Sequence, residues 1–233
     1  MKKIFLMMLL LVSVIANAQK DVTKFLGIPV DGYKAEMKKK LLSKGFTYNS
    51  QNDFFEGEFN GRDVRVYVVT NNNKVWRIVV HDANTCDEGD IKIRFNKLCS
   101  QFSKNQKYVA ANFGERDYTL SESEDISYEM LVHNKRYEAA YFQVIDPVLV
   151  DTLANQKKIK EILLQAYTQE QLDNPTEEQA AEMQSLVEIE ATKIALDLME
   201  KKFVWFRISE LYGRYFISMY YDNEYNHSDG EDL

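Results

Sequence analysis

The chain has 233 residues, 45% of them apolar, 12% aromatic and 28% charged, with nine Gly, three Pro and two Cys. That balance excludes a collagen-like, disulfide-scaffold or wholly disordered chain, and the length allows one large domain or two small ones with a real core. The net charge of −7 argues against nucleic-acid binding, which needs clustered Lys and Arg to neutralise phosphates.

The chain opens Met1-Lys2-Lys3, runs through an apolar stretch from Ile4 to Val12 and reaches Ala16-Asn17-Ala18. A positive start, an apolar centre and small residues at −3 and −1 read as a secretory signal peptide over residues 1–18, cleaved after Ala18. The apolar run is shorter than the roughly 20 residues of a spanning helix, which sets aside a membrane anchor. Gln19 at +1 is not the Cys that lipoprotein acylation requires. The mature chain is expected to start at Gln19, to carry no transmembrane segment, and to work in the periplasm or beyond the cell.

Without Lys2 and Lys3 the chain carries 27 Lys and Arg against 36 Asp and Glu, a net of −9. Residues 19–110 hold 16 basic against 11 acidic residues, and residues 111–233 hold 11 against 25. Halves of opposite sign can attract each other or face different partners, and a surface kept soluble by charge is the plainer account. The basic run Lys38-Lys39-Lys40 reads as the wet face of a helix.

In chain order, Asp31 is placed to cap a helix whose Tyr33, Met37 and Leu41 share one side. Gly45 follows its last turn, where a left-handed residue is needed, and Phe46 can fold back on Leu42. Strands are then expected over Phe54–Phe59 and Arg62–Thr70 around an Asn60-Gly61 turn, and over Lys74–His81 after Asn71-Asn72-Asn73. Ile91, Phe95, Leu98 and Phe102 recur at helical spacing, which predicts a helix over about 88–104. That helix separates Cys86 from Cys99 by roughly 16 Å, well beyond disulfide reach, so two free thiols are expected.

The polar, aperiodic stretch 111–125 is the expected boundary between halves. Strands over Ile126–Val132 and Arg136–Val144 should follow, joined at His133-Asn134-Lys135. Asp146-Pro147 reads as the start of a helix reaching about Tyr167, and Thr176 with Gln179 reads as the capping box of a second, long helix. A closing hairpin pairs Phe203–Glu210 with Arg214–Tyr221. The expected fold is α+β in two lobes, residues 19–110 and 111–233, each an antiparallel sheet of about four strands with packed helices, the second interrupted by a helical crossover over 148–201.

Chemistry is sparse. His81, His133 and His227 stand apart, with no H-x-x-x-H or C-x-x-C nearby, so no metal site is expected. Asp222-Asn223-Glu224-Tyr225-Asn226 begins like a calcium loop, but His227 stands where glycine belongs and Leu233 where a glutamate belongs. There is no G-x-S-x-G elbow and no glycine-rich phosphate loop, so neither a nucleophilic triad nor a cofactor is indicated. Carboxylates are too numerous to single out a pair.

The second sheet is less bland. Val204, Phe206 and Ile208 match Tyr215, Ile217, Met219 and Tyr221 as an inward face, which leaves Tyr137, Tyr141, Trp205, Arg207, Phe216 and Tyr220 on the other. Rings on both faces imply either a covering layer, for which the 148–201 helices are available, or a binding surface suited to a protein or glycan.

The strings FLGIPVDGYKAEMKKKLLSKGF, YVVTNNNKVWRIVV and YGRYFISMYYDNEYN, with the closing DGEDL, resemble a group of uncharacterised exported proteins from gut-dwelling Gram-negative bacteria. The likeness covers most of residues 24–145 and 203–233, and no activity is attached to it. The order of one helix and four strands is also similar to the small periplasmic folds of the β-lactamase-inhibitor-protein and PepSY type, an architectural likeness that implies no function. The reading that follows is an exported, non-catalytic binding protein for a protein or cell-envelope component. Its rival is a hydrolase using a carboxylate pair in a cleft between the lobes.

Overall fold

The computed structural model describes residues 20–112 and 117–227. The signal-peptide segment and the closing DGEDL lie outside these residues. The chain divides into two compact units: Ile145–Leu198 belong to one, and Val22–Val144 with Met199–Leu233 form the other.

The larger unit begins with a short ribbon, β1 (Lys24–Phe25) and β2 (Ile28–Pro29), that buries Phe25, Ile28 and Val30. Helix α1 (Lys34–Ser43) starts later than Asp31 suggests, with Tyr33 as its N-cap and no side-chain cap. The reason is non-local: Tyr33 bridges to Lys74 and Gly32 accepts from the Val75 amide at 2.9 Å, which holds this backbone extended. The end of α1 follows its local chemistry. Gly45 sits at φ +91°, its amide donates to Leu42, and the Phe46 amide reaches back to Leu41 at 3.3 Å. Phe46 joins the core beside Leu41, whereas Leu42 is exposed.

Four strands follow as a meander, β3 (Thr47–Asn49), β4 (Phe54–Phe59), β5 (Arg62–Asn71) and β6 (Lys74–Asp82). Asn60-Gly61 and Asn72-Asn73 all take positive φ, the backbone that a two-residue turn needs to match the strand twist. Then come α2 (Glu88–Lys104), β7 (Tyr108–Ala110), α3 (Ile126–His133) and β8 (Glu138–Gln143). The hairpin β9 (Lys202–Leu211) and β10 (Arg214–Asn223) turns at Tyr212-Gly213, again both at positive φ.

The strand order is β3-β4-β5-β6-β10-β9-β8-β7, antiparallel throughout. The expected pair of four-stranded lobes is therefore one eight-stranded sheet. Ser218↔His81 through Asp222↔Arg77 zip β10 to β6, so no cleft separates the two meanders. Each meander supplies four strands and is preceded by a helix, α1 or α2. Both helices share a single core cluster with the sheet, including Met37, Leu41, Ile91, Phe95, Val66, Ile78, Phe206 and Ile217.

Residues 126–132, expected as a strand, form α3 instead. Their alternation is real, but Asp125 caps the Tyr128 amide at 2.8 Å, and the Glu88 carboxylate of α2 accepts from the Ile126 and Ser127 amides. Ile126 is fully buried by this arrangement. Asn134 ends the helix at φ 51°.

The smaller unit is helical. Asp146-Pro147 opens a turn closed by Leu149 N–H to Asp146 C=O at 2.9 Å, not a helix. Helix α4 (Thr152–Ala166) starts instead behind the Asp151 cap. A short α5 (Gln169–Asp173), not foreseen, uses Thr168 and Gln171 as a capping box. The Thr176–Gln179 box opens α6 (Glu177–Glu200), with reciprocal bonds of 3.2 and 3.0 Å. No described helix is long and apolar enough to cross a membrane.

Candidate functional site

The face of the sheet opposite α1 and α2 is organised in rows across the strands, set by the register. One row reads Tyr67, Val79, Tyr220, Trp205, Ala140. A second reads Arg65, His81, Ser218, Arg207, Glu138, and a third Val69, Arg77, Asp222, Phe203, Phe142. Successive rows are roughly 7 Å apart, two residues along each strand.

In the first row the Trp205 and Tyr220 rings stack face to face, with centroids 4.0 Å apart and planes 13° apart. Below them lies the best-held charge pair of the face. Asp222 is 2% exposed and accepts both Arg77 Nε and Nη2 at 2.6 Å, while the Trp205 indole N–H donates to its Oδ2 at 3.0 Å. The Arg77 guanidinium also lies over the Trp76 ring, 4.1 Å from its centroid.

Trp76 reaches this side through a bulge. Val69 pairs with Arg77 and Thr70 with Val75, so Trp76 has no partner on β5. The extra residue restores Val75 to the core, three positions from Ile78, and puts Trp76 beside Arg77. Strict alternation, which groups Trp76 with Ile78 and Val80, fails here for that reason.

The second row sets two arginines between two glutamates, with Glu56 opposite Arg65 and Glu138 opposite Arg207. His81 is half-buried between Tyr67 and Phe216, with ring centroids at 5.3 and 5.7 Å. Burial, then the Arg207 and Arg65 charges, hold its pKa below the ordinary 6.5, against a smaller opposing pull from Asp82. Arg207 stands opposite Ser218, between Phe216 and Tyr220, with its guanidinium 5.9 Å from the Tyr220 centroid. Its Nε is buried without a hydrogen-bond partner, and among the described residues no carboxylate lies within ion-pair reach, although Glu138 faces it on β8. Ser218 beside it is spent on Ser209, hydroxyl to hydroxyl at 2.8 Å.

Of the six ring and cation residues assigned to one face from sequence, Trp205, Arg207, Phe216 and Tyr220 share it. Tyr137 and Tyr141 do not. On β8 it is Ala140 that stands opposite Trp205, and Tyr141 opposite Val204, so the phase of this strand is one residue away from that expected. Tyr141 is 1% exposed in the core, its ring stacked 4.6 Å from Phe102 of α2. Tyr137 is buried too, with its hydroxyl donating to Glu124 at 2.6 Å. Arg77 and Trp76 carry no such mark in the sequence, and Asp222 and His81 are weighed there only as metal ligands, not for this face. Asp222 was legible as the residue two beyond Tyr220, but Arg77 and His81 join it only through the β6–β10 pairing.

Elsewhere several of the chemical options are already engaged. A polar hollow of ≈ 260 Å³ is lined by Glu58, Gly61, Arg62, Asp63, Asp82 and Asn84, below the usual size of a small-molecule site. Asp82 there is held by Arg94 at 3.1 Å and by the Ile217 amide at 3.3 Å, one oxygen each. Both cysteines are free thiols. Burial pushes Cys99 up to about 12 and raises Cys86, so neither supplies a thiolate at neutral pH. The calcium-loop-like tail spends its oxygens internally, with Asp222 on Arg77, and Asn223 capping Tyr225 while its amide donates to Val30. Among the described residues no group of three or more His, Cys, Asp or Glu is placed to hold a metal.

No family model matches the chain, and neither a curated protein nor a solved structure does.

Proposed function

We propose that the protein is an exported, non-catalytic binding protein that engages a protein or cell-envelope component through the Trp205 face of its sheet. The carrying observation is the stacked Trp205–Tyr220 pair sharing that face with Arg207, which has no ion-pair partner among the described residues. Trp, Tyr and Arg are the side chains that most often dominate binding energy, because they bring large contact area at small entropic cost. Export rests on the 1–18 signal-peptide pattern and agrees with the resemblance to exported proteins.

Capture from an envelope extract tests this reading. The mature chain should retain a partner that the Trp205→Ala, Tyr220→Ala double variant loses, with melting curves confirming that both are folded. Equal capture by the two would refute the assignment of this face.

A further inference from the structure

We infer that the outer surface of α1, on the side of the sheet away from Trp205, docks on a bilayer that carries anionic lipid headgroups. The helix buries Met37 and Leu41 against the sheet and ends on Lys44. Its five lysines, Lys34, Lys38, Lys39, Lys40 and Lys44, meet two carboxylates. Lys34 and Lys38 both close on Asp53, at 2.6 and 2.9 Å, so one acid answers two cations. Glu36 is the sole acid on the helix itself. Lys39, Lys40 and Lys44 are exposed and, among the described residues, their ammonium groups have no partner. The strands under α1 do not cancel this charge. Of their acids, Asp82 is held by Arg94 of α2 at 3.1 Å, and Asp63 alternates with core Val64 and so lies on the opposite face. Ahead of the helix one charge of each sign stands, Asp31 accepting from the Asn226 amide and Lys74 lying over the Tyr33 ring.

Helix formation alone does not ask for this spacing. Lys34 and Lys38, and again Lys40 and Lys44, stand four residues apart, where like charges repel. The helix dipole rewards Lys40 and Lys44 near the C-terminal end but disfavours Lys34 at the other. A bilayer is favoured over an acidic protein by what lies between the lysines. Leu42 and Tyr33 are each about half exposed there, as single apolar side chains. Lone apolar groups among flexible ammonium groups suit a deformable headgroup layer, whereas a protein contact calls for a packed apolar centre. The acidic excess of the chain lies over residues 111–233, and at 0.1 M salt its repulsion is screened within about 10 Å, so the local lysines decide contact.

The test mixes the mature full-length chain with vesicles of phosphatidylethanolamine and phosphatidylglycerol and reads the bound fraction by co-sedimentation. The protein should bind these vesicles, bind little when phosphatidylcholine replaces phosphatidylglycerol, and come off as salt rises from about 0.05 M to about 0.5 M. The triple variant Lys39→Gln, Lys40→Gln, Lys44→Gln should bind at least about tenfold more weakly. Lys157→Gln, Lys158→Gln, Lys160→Gln on α4 removes the same charge and should stay within about twofold of the parent. Melting curves establish that each variant is folded, and Leu42→Trp should shift its emission to the blue with the anionic vesicles alone. No binding to the anionic vesicles, equal binding to both lipid mixtures, or equal loss in the two triple variants would each overturn the inference. Binding to polyglutamate through the same lysines, with none to vesicles, would overturn it in favour of an acidic protein. The Trp205→Ala, Tyr220→Ala variant should bind vesicles as the parent does, so this inference and the reading of the Trp205 face fail separately. Loss of vesicle binding in that variant would move the contact off α1.

Discussion

Strand β9 shows the contrast between the two faces of the sheet within ten residues. Val204, Phe206 and Ile208 point toward α1 and α2 and are at most 3% exposed, while the intervening Phe203, Trp205 and Arg207 are half-buried. The first set is held by apolar contact alone: Phe206 packs against Phe95, Phe102 and Tyr141, with centroids 5.2 to 6.2 Å away. The second is held by directional contacts, namely a stacked ring pair, a bidentate ion pair and an indole hydrogen bond. Apolar packing is tolerant of partner identity and sensitive to volume, whereas the directional face is sensitive to losing one member of a pair. On the second face Arg207 has no ion-pair partner among the described residues.

The largest effect that would test this division is on the packed side. Phe206→Ala should cost about 3–5 kcal/mol through lost burial and the cavity it leaves, read as a fall in the urea midpoint. A much smaller loss would mean that the inner face is less tightly packed than its burial indicates.

Next comes the ion pair. Arg77→Met should cost about 3 kcal/mol, because it strands the Asp222 carboxylate in a buried setting. The double variant Arg77→Met, Asp222→Leu should recover most of that loss, and a double variant as unstable as the single would show that the pair acts through something other than charge.

The smallest effect is in pH dependence. His81 binds its proton more weakly in the folded chain than in the unfolded one. Its contribution to stability is therefore present above the unfolded value of 6.5 and declines as pH falls through the folded value. The groups facing it are Arg65 on β5, Arg207 on β9 and its chain neighbour Asp82. His81→Gln should flatten the melting temperature between roughly pH 7 and pH 5, and an unchanged slope would remove His81 as a contributor.

Much of this architecture is readable along the chain where the cause is local. The α2 limits at Glu88 and Lys104 match the spacing of Ile91, Phe95, Leu98 and Phe102, and the Asn60-Gly61 turn and Thr176–Gln179 box stand where their residue types require. Local signals mislead where a distant partner decides the outcome. Residues 126–132 alternate like a strand, yet the Glu88 carboxylate holds their first amides as a helix. Tyr137 and Tyr141 carry no local mark of which face they will take, and a single-residue shift in β8 put them in the core. The bulge at Trp76 is likewise a matter of register against β5.

By itself the order of residues determined the α+β character, most turns and caps, and the inward faces of β9 and β10, because φ preference, capping hydrogen bonds and side-chain periodicity act within a few residues. Only the tertiary structure decided that the two meanders join as one sheet, and that Arg77 meets Asp222. Pairing between β6 and β10 links positions well over a hundred residues apart, and strand pairing depends on matching whole surfaces, which no short stretch of chain encodes.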